Sequence, residues 1–129
     1  MPIAQALKVL IVDDQNSVRQ MTRLTLEELG IKHIYDSENG KAALDIAGVQ
    51  PLDLIISDYN MPEMDGLQLL RAVRAHPTAR RLPFILLTGR GDRELVVKAA
   101  QAGVNNYLVK PFTAATLRDK IEQVMGKLQ

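Results

Sequence analysis

The stretch Leu54-Ile55-Ile56-Ser57-Asp58-Tyr59-Asn60-Met61-Pro62 decides how this chain reads. Three consecutive apolar residues with no polar alternation are the pattern of a short strand buried on both faces. Ser57 and Asp58 end that strand, and Pro62 keeps the residues after them from simply prolonging it. A carboxylate at the carboxyl end of a buried strand lies at the rim of a sheet, where open α/β folds place their ligands. Taken alone, Asp58 fits a turn cap as well, so the other strand ends have to decide.

Outward from this stretch, short apolar runs alternate with helical patterns. Strands are predicted over residues 8–12, 32–37, 52–58, 84–88 and 106–109, the second of them weaker and nearer an edge. Helices are predicted over 17–29, from Asn39-Gly40 to about 48, from Asp65-Gly66 to His76-Pro77, over 93–102 and from Thr113 to about 125. In the first helix Val18, Met21, Leu24 and Leu29 fall near one face, and Gly30 stops it. In the third, Leu67, Leu70 and Val73 point inward; Asp92 and Thr113 stand where the fourth and fifth helices need N-caps. Strict alternation with unbroken apolar strands means a parallel sheet covered by helices on both faces, with right-handed crossovers.

Composition sets the outer bounds. With 129 residues the chain is expected to be one domain, with an ordered core over about 7–127 and no linker, repeat or output domain. A hydrophobic fraction of 47% and a charged fraction of 24% are ordinary for a soluble globular protein. The absence of cysteine excludes disulfides and thiolate metal sites, and fits a reducing compartment. The first apolar run is broken by Lys8 and ends in Asp13-Asp14, unlike a signal peptide, and no run is long enough to span a membrane. A net charge of +1 and only five aromatic residues, three Tyr and two Phe, argue against a DNA or RNA surface. A cytoplasmic protein without membrane insertion is expected.

The strand ends settle the question about Asp58. The first strand ends at Asp13-Asp14, the third at Asp58, the fourth at Thr88 and the fifth at Lys110. In a parallel sheet all carboxyl ends share one edge, so with the first and third strands adjacent three carboxylates converge over a crevice. Such a cluster repels itself and calls for a cation. Mg²⁺ suits it, because that ion takes one or two carboxylates, keeps several waters and bridges to phosphate. Thr88 offers a hydroxyl and Lys110 an ammonium, both suited to phosphoryl oxygens.

These residues carry a resemblance. Val12-Asp13-Asp14, Ser57-Asp58-Tyr59-Asn60-Met61-Pro62 with Asp65-Gly66, Thr88, and Lys110-Pro111-Phe112-Thr113 resemble the receiver domain of two-component response regulators, most of all its stand-alone chemotaxis members. The resemblance covers essentially the whole chain. It implies a flavodoxin-like, doubly wound (βα)5 three-layer sandwich with parallel strand order 2-1-3-4-5, an order the residues alone do not give. It also implies that Asp58 is the phospho-acceptor, forming an aspartyl phosphate. Asp13, Asp14, Asp58 and the backbone carbonyl of Asn60 would hold Mg²⁺, with Mn²⁺ able to substitute. Thr88 and Lys110 would bind phosphoryl oxygens, and the Lys110-Pro111 bond would be cis. The donor would be a CheA-like sensor histidine kinase; His33 and His76 both lie far from the acidic rim in sequence, so the chain is not itself that kinase. On this reading the protein is a phospho-acceptor rather than an enzyme, assisting its own phosphotransfer and autodephosphorylation.

The same resemblance implies a switch in which Thr88 moves toward the phosphoryl group and Tyr107 turns inward. The partner face would be Arg93, Val96, Ala100, Val104, Tyr107 and Lys120, offered to a downstream target such as a flagellar motor switch component. Independently, Leu95, Val96, Val97, Ala99, Ala100 and Ala102 make the fourth helix apolar almost all round, so part of it must be exposed, a mark of partner binding or of dimerisation. Asn60 and Arg90 flank the site as rate modulators. Arg90 departs from the chemotaxis pattern, where an acid is usual, which puts the action of a dedicated phosphatase in question. Residues 71–93 hold six arginines against one acid, Asp92, which reads as a solvated face or an anion-binding one. Three rivals stand beside the leading reading. An aspartyl-phosphate phosphatase of the haloacid dehalogenase kind wants an acid where Asn60 stands. A phosphorylation-independent receiver would lack one of the key residues, and none is missing. A receiver cut from a larger regulator is the third.

Overall fold

The apolar runs pair into one parallel sheet. In the computed structural model, which describes residues 3–89 and 93–129, five strands form it: β1 (Lys8–Val12), β2 (His33–Ser37), β3 (Leu54–Asp58), β4 (Phe84–Thr88) and β5 (Asn106–Val109). Their order is β2-β1-β3-β4-β5, and every neighbouring pair is parallel. The helices are α1 (Asn16–Glu28), α2 (Gly40–Val49), α3 (Gly66–Ala75), α4 (Arg93–Gln101) and α5 (Ala114–Met125). Among the described residues this is the doubly wound architecture that the resemblance implied.

Both faces of the sheet are covered, which explains why the central strands lack polar alternation. Leu10, Val12, Ile55 and Leu86 point to one side, where Ala43 and Ala47 of α2, Leu70 and Val73 of α3 and Leu95 and Ala99 of α4 meet them. Val9, Ile11, Leu54, Ile56, Ile85 and Leu87 point to the other, against Leu26 of α1 and Leu117 and Ile121 of α5. β3 and β4 are buried along their whole length, whereas the edge strands β2 and β5 are only partly so. The chain leaves β1 for β2 on one side and returns to β3 on the other, which puts the topological switch point between the carboxyl ends of β1 and β3.

Three expectations need correction. The apolar face expected on α1 meets the core only in part: Leu29 packs against it, but Met21 is 69% exposed and Leu24 61%, while Thr22 and Leu26 are buried. A threonine can turn inward here because its hydroxyl donates to the Val18 carbonyl at 3.0 Å, so no polar group is left unsatisfied. The third strand starts at Leu54 rather than at residue 52. Asp53 belongs instead to a turn in which its carboxylate accepts the Lys8 N–H at 2.9 Å and its own N–H donates to the Lys8 carbonyl at 2.7 Å. The ordered packing also reaches beyond 7–127: a 3-10 turn (Ala4–Ala6) lies against the C-terminus, with Ala4 and Leu128 buried and the Ala4 N–H donating to the Gln129 carbonyl at 3.0 Å. Asp92, expected to cap α4, and Arg90 lie outside the described residues.

Candidate functional site

The site forms where the ladder of β1 and β3 runs out. The Asp13 N–H still pairs with the Ser37 carbonyl at 3.1 Å, and the Tyr59 N–H with the Leu87 carbonyl at 2.7 Å, so the backbone on either side of the acids is held by the sheet. Asp13 and Asp58 are consequently buried, at 2% and 4% exposure, while Asp14 stands exposed at the rim. One carboxylate oxygen from each of the three lies within 4.8 Å of the others.

Burial raises the Asp13 pKa above the usual carboxylate value, and the charges of Asp58 and Asp14 add to that rise. The N–H of Gln15, donating to Asp13 Oδ1 at 2.9 Å, and the charge of Lys110 act against it. Lys110 Nζ reaches Asp58 Oδ1 at 2.7 Å. The distance is that of a tight ion pair, yet Asp58 Oδ1 accepts no directed hydrogen bond among the described residues, and neither does Asp13 Oδ2. We read the Lys110–Asp58 contact as a charge contact of poor angle. Asp13 Oδ2 is therefore left without any partner, and Asp58 Oδ1 has only the Lys110 charge beside it. Unsatisfied buried oxygens in an oxygen-only donor set fit a hard divalent cation of the Mg²⁺ type.

The turn after β3 is built to leave this cluster open. Gly66 begins α3, and its N–H donates to the Tyr59 carbonyl at 2.8 Å. A Cβ there would collide with the Asp58 carbonyl oxygen, lie 2.6 Å from Leu86 Cδ1 and 2.9 Å from Tyr59 Cα. Only glycine lets α3 approach this closely. Asp65 and Gln68 close a reciprocal capping box at 2.8 and 2.9 Å, which fixes where the helix begins. Two residues before that cap, Glu63 takes the left-handed conformation, with φ 69°.

The remaining expected residues gather along the same edge. A cleft of about 580 Å³ is lined by Asp14, Gln15, Asp58, Asn60, Gly89 and Lys110, among others. Asn60 is exposed on its wall. Thr88 is buried at the end of β4, and its carbonyl accepts the Lys110 N–H at 2.7 Å, which ties β4 to the Lys110 loop. The Lys110-Pro111 bond is cis, as expected. His33 opens β2 at the far edge and His76 caps the C-terminus of α3.

Tyr107 is half-buried on β5, packed against the core on the α2-α3-α4 side, with Lys120 Nζ 5.3 Å from its ring centroid. Arg93 and Ala100 are exposed on α4, and Val96 and Val104 partly so. Val97, on the same helix, is 49% exposed, the exposed apolar surface that the pattern required. Sequence reasoning missed Ser57 and Arg19. The Ser57 hydroxyl is buried and donates to the Asp58 carbonyl at 2.9 Å, and Arg19 donates to the Asp13 carbonyl at 2.7 Å. Both act on backbone carbonyls, and no sequence motif marks such a partner.

A doubly wound sheet with three carboxylates, a threonine and a lysine on its carboxyl edge defines a phosphorelay receiver. Comparison with known proteins agrees: residues 9–122 match the family described as the response regulator receiver domain, and the chain belongs to it. The probable chemotaxis protein CheY of Rhizobium etli is 47% identical over 129 residues, covering 100% of both chains. Among solved structures, chemotaxis protein CheY4 of Vibrio cholerae superposes with a TM-score of 0.86 at 36% identity, over 92% of this chain and 98% of its own. The receiver domain of the sensor histidine kinase PA1611 from Pseudomonas aeruginosa has a magnesium ion coordinated in its active-site cleft. It superposes with a TM-score of 0.80 at 31% identity, over 95% of this chain and 100% of its own. Among the described residues no helix is long and apolar enough to cross a membrane.

Proposed function

We propose that this chain is a phosphorylation switch of the chemotaxis type, in which Asp58 takes a phosphoryl group from a phosphohistidine of a CheA-like sensor kinase. The observation that carries the reading is the convergence of Asp13, Asp14 and Asp58 within 4.8 Å, with Lys110 2.7 Å from Asp58. Asp13, Asp14, Asp58 and the Asn60 carbonyl would hold Mg²⁺, which when bound neutralises charge on the phosphoryl oxygens. Mn²⁺ would serve in its place.

A carboxylate oxygen of Asp58 attacks phosphorus in line; the new P–O bond forms as the P–N bond of the donor breaks, and the leaving imidazole takes up a proton. The protein's part is positioning and charge. The sheet holds Asp58 still, Lys110 is ready to leave its carboxylate for a phosphoryl oxygen, and the Thr88 hydroxyl hydrogen-bonds another. Autodephosphorylation is the same geometry used by water: the P–O bond to Asp58 breaks and inorganic phosphate departs. Asn60 and Arg90 modulate that rate from the flanks.

Movement of Thr88 toward the phosphoryl group frees space for Tyr107, which biases the face of α4, β5 and α5 between two states. Arg93, Val96, Ala100, Val104, Tyr107 and Lys120 would then present that face to a flagellar motor switch component, with a phosphatase as a second visitor. This role is played in the cytoplasm.

The test uses a purified histidine kinase labelled on its histidine. Transfer of label to the wild-type chain, its loss in EDTA and its loss in Asp58→Asn are the expected results. Label retained at wild-type level by Asp58→Asn contradicts the proposal.

A further inference from the structure

Arg19 runs against the local rules of its helix. It is the fourth residue of α1, within the first turn, where the helix dipole disfavours a cation. That turn contains no acid, and the N-cap, Gln15, gives no side-chain hydrogen bond. Arg19 Nε is buried without a hydrogen-bond partner among the described residues, a costly arrangement for a charged donor. Among the described residues no carboxylate pairs with the guanidinium either. Chains break local rules of this kind chiefly at functional sites.

The contacts show what the arrangement achieves. Arg19 Nη1 donates to the Asp13 carbonyl oxygen at 2.7 Å, and Nη2 to Asn16 Oδ1 at 2.9 Å. The planar fork thus bridges the loop before α1 and the first residue of the helix. The Asp13 carbonyl belongs to the rigid peptide unit that joins Asp13 to Asp14. Holding that oxygen holds the plane, and with it the directions in which both carboxylates leave the backbone. The Gln15 N–H on Asp13 Oδ1 fixes the same residue from the other side.

We propose that Arg19 is a positioning residue for the acidic site, its guanidinium fixing the Asp13-Asp14 peptide so that both carboxylates face one divalent cation. The inference rests on the reading that this cluster binds Mg²⁺. Partners that orient metal ligands typically change affinity 10- to 100-fold when removed.

The test is Mg²⁺ titration of the full chain, followed by calorimetry, for wild type, Arg19→Met and Arg19→Lys. Arg19→Met is expected to weaken Mg²⁺ binding at least about tenfold. Arg19→Lys keeps the charge without the two-pronged fork, and is expected to weaken binding too. Amide hydrogen exchange at Asp14 and Gln15, measured in EDTA, should accelerate in both variants. Wild-type Mg²⁺ affinity in Arg19→Met overturns the inference, even if that variant denatures more easily, because a merely structural role lowers stability without moving affinity. Should Arg19→Met fail to fold, wild-type affinity in Arg19→Lys overturns the fork account in its place. Failure of the wild type to bind Mg²⁺ overturns the metal reading itself, an outcome distinct from both.

Discussion

Asp13 sits where solvation and charge both oppose it. It is buried, its pKa is raised by that burial first and by Asp58 and Asp14 after it, and its Oδ2 has no hydrogen-bond partner among the described residues. Without a cation the cluster strains the fold that carries it. Asp13→Asn should therefore stabilise the metal-free protein, by about 1 kcal/mol, while greatly weakening Mg²⁺ binding. Urea denaturation in EDTA and Mg²⁺ calorimetry together check this; a less stable variant, or one with wild-type affinity, argues against it. The acids, Thr88 and Lys110 were legible in the sequence because strand ends announce themselves and a parallel sheet lines them up. Arg19 and Ser57 were not, since their partners are main-chain oxygens.

Elements were legible to the extent that one physical signal dominated each. β1, β4 and β5 have the predicted bounds because apolar runs flanked by polar residues leave little choice. α1 misled because Met21 and Leu24 are apolar yet face outward, whereas Thr22 hides its hydroxyl in a bond to Val18. The start of α3 was read correctly from Asp65-Gly66, and the structure adds why alanine will not serve in place of the glycine. Gly66→Ala should cost about 1–3 kcal/mol, as overpacking against fixed backbone does, measured by urea denaturation. A cost near zero would mean that the α3 start is free to shift. A second junction depends on Arg74, whose pKa is lowered by burial. It donates to the carbonyls of Gly103 (3.0 and 2.8 Å), Leu82 (2.6 Å) and Arg80 (3.1 Å) and to Asn105 Oδ1 (2.9 Å), so it joins α3 to the loops on either side of β4 and α4. Arg74→Met leaves these acceptors short and should lower stability by roughly 2 kcal/mol. It should also speed amide exchange at residues 103–105, and unchanged exchange there would count against this role.

At the scale of the whole molecule, alternation of strand and helix fixed the class of fold, but the strand order came only with the family resemblance. Apolar runs say that strands are parallel and covered; they do not say which lie side by side. That order, β2-β1-β3-β4-β5, is what places Asp13, Asp14 and Asp58 at one switch point and puts β5 with Tyr107 at the edge. The distance from Asp58 to the face of α4 and α5 is spanned by β4, which ends in Thr88, so the proposed switch would be a property of the fold rather than of one residue. A phosphoryl analogue such as beryllofluoride with Mg²⁺ should alter amide exchange in residues 93–107 of the wild type and leave Asp58→Asn unchanged; identical responses would break the link between site and face. The central claim, that Asp58 is the acceptor, has a more direct test. Incubate the chain with Mg²⁺ and a small acyl-phosphate donor, reduce with borohydride, and sequence the peptides by mass spectrometry. An aspartyl phosphate is reduced to homoserine, so the account predicts homoserine at position 58 and at no other aspartate, and none when Mg²⁺ is chelated. Homoserine at Asp13 or Asp14, or unmodified Asp58 in a chain that has bound Mg²⁺, would contradict it.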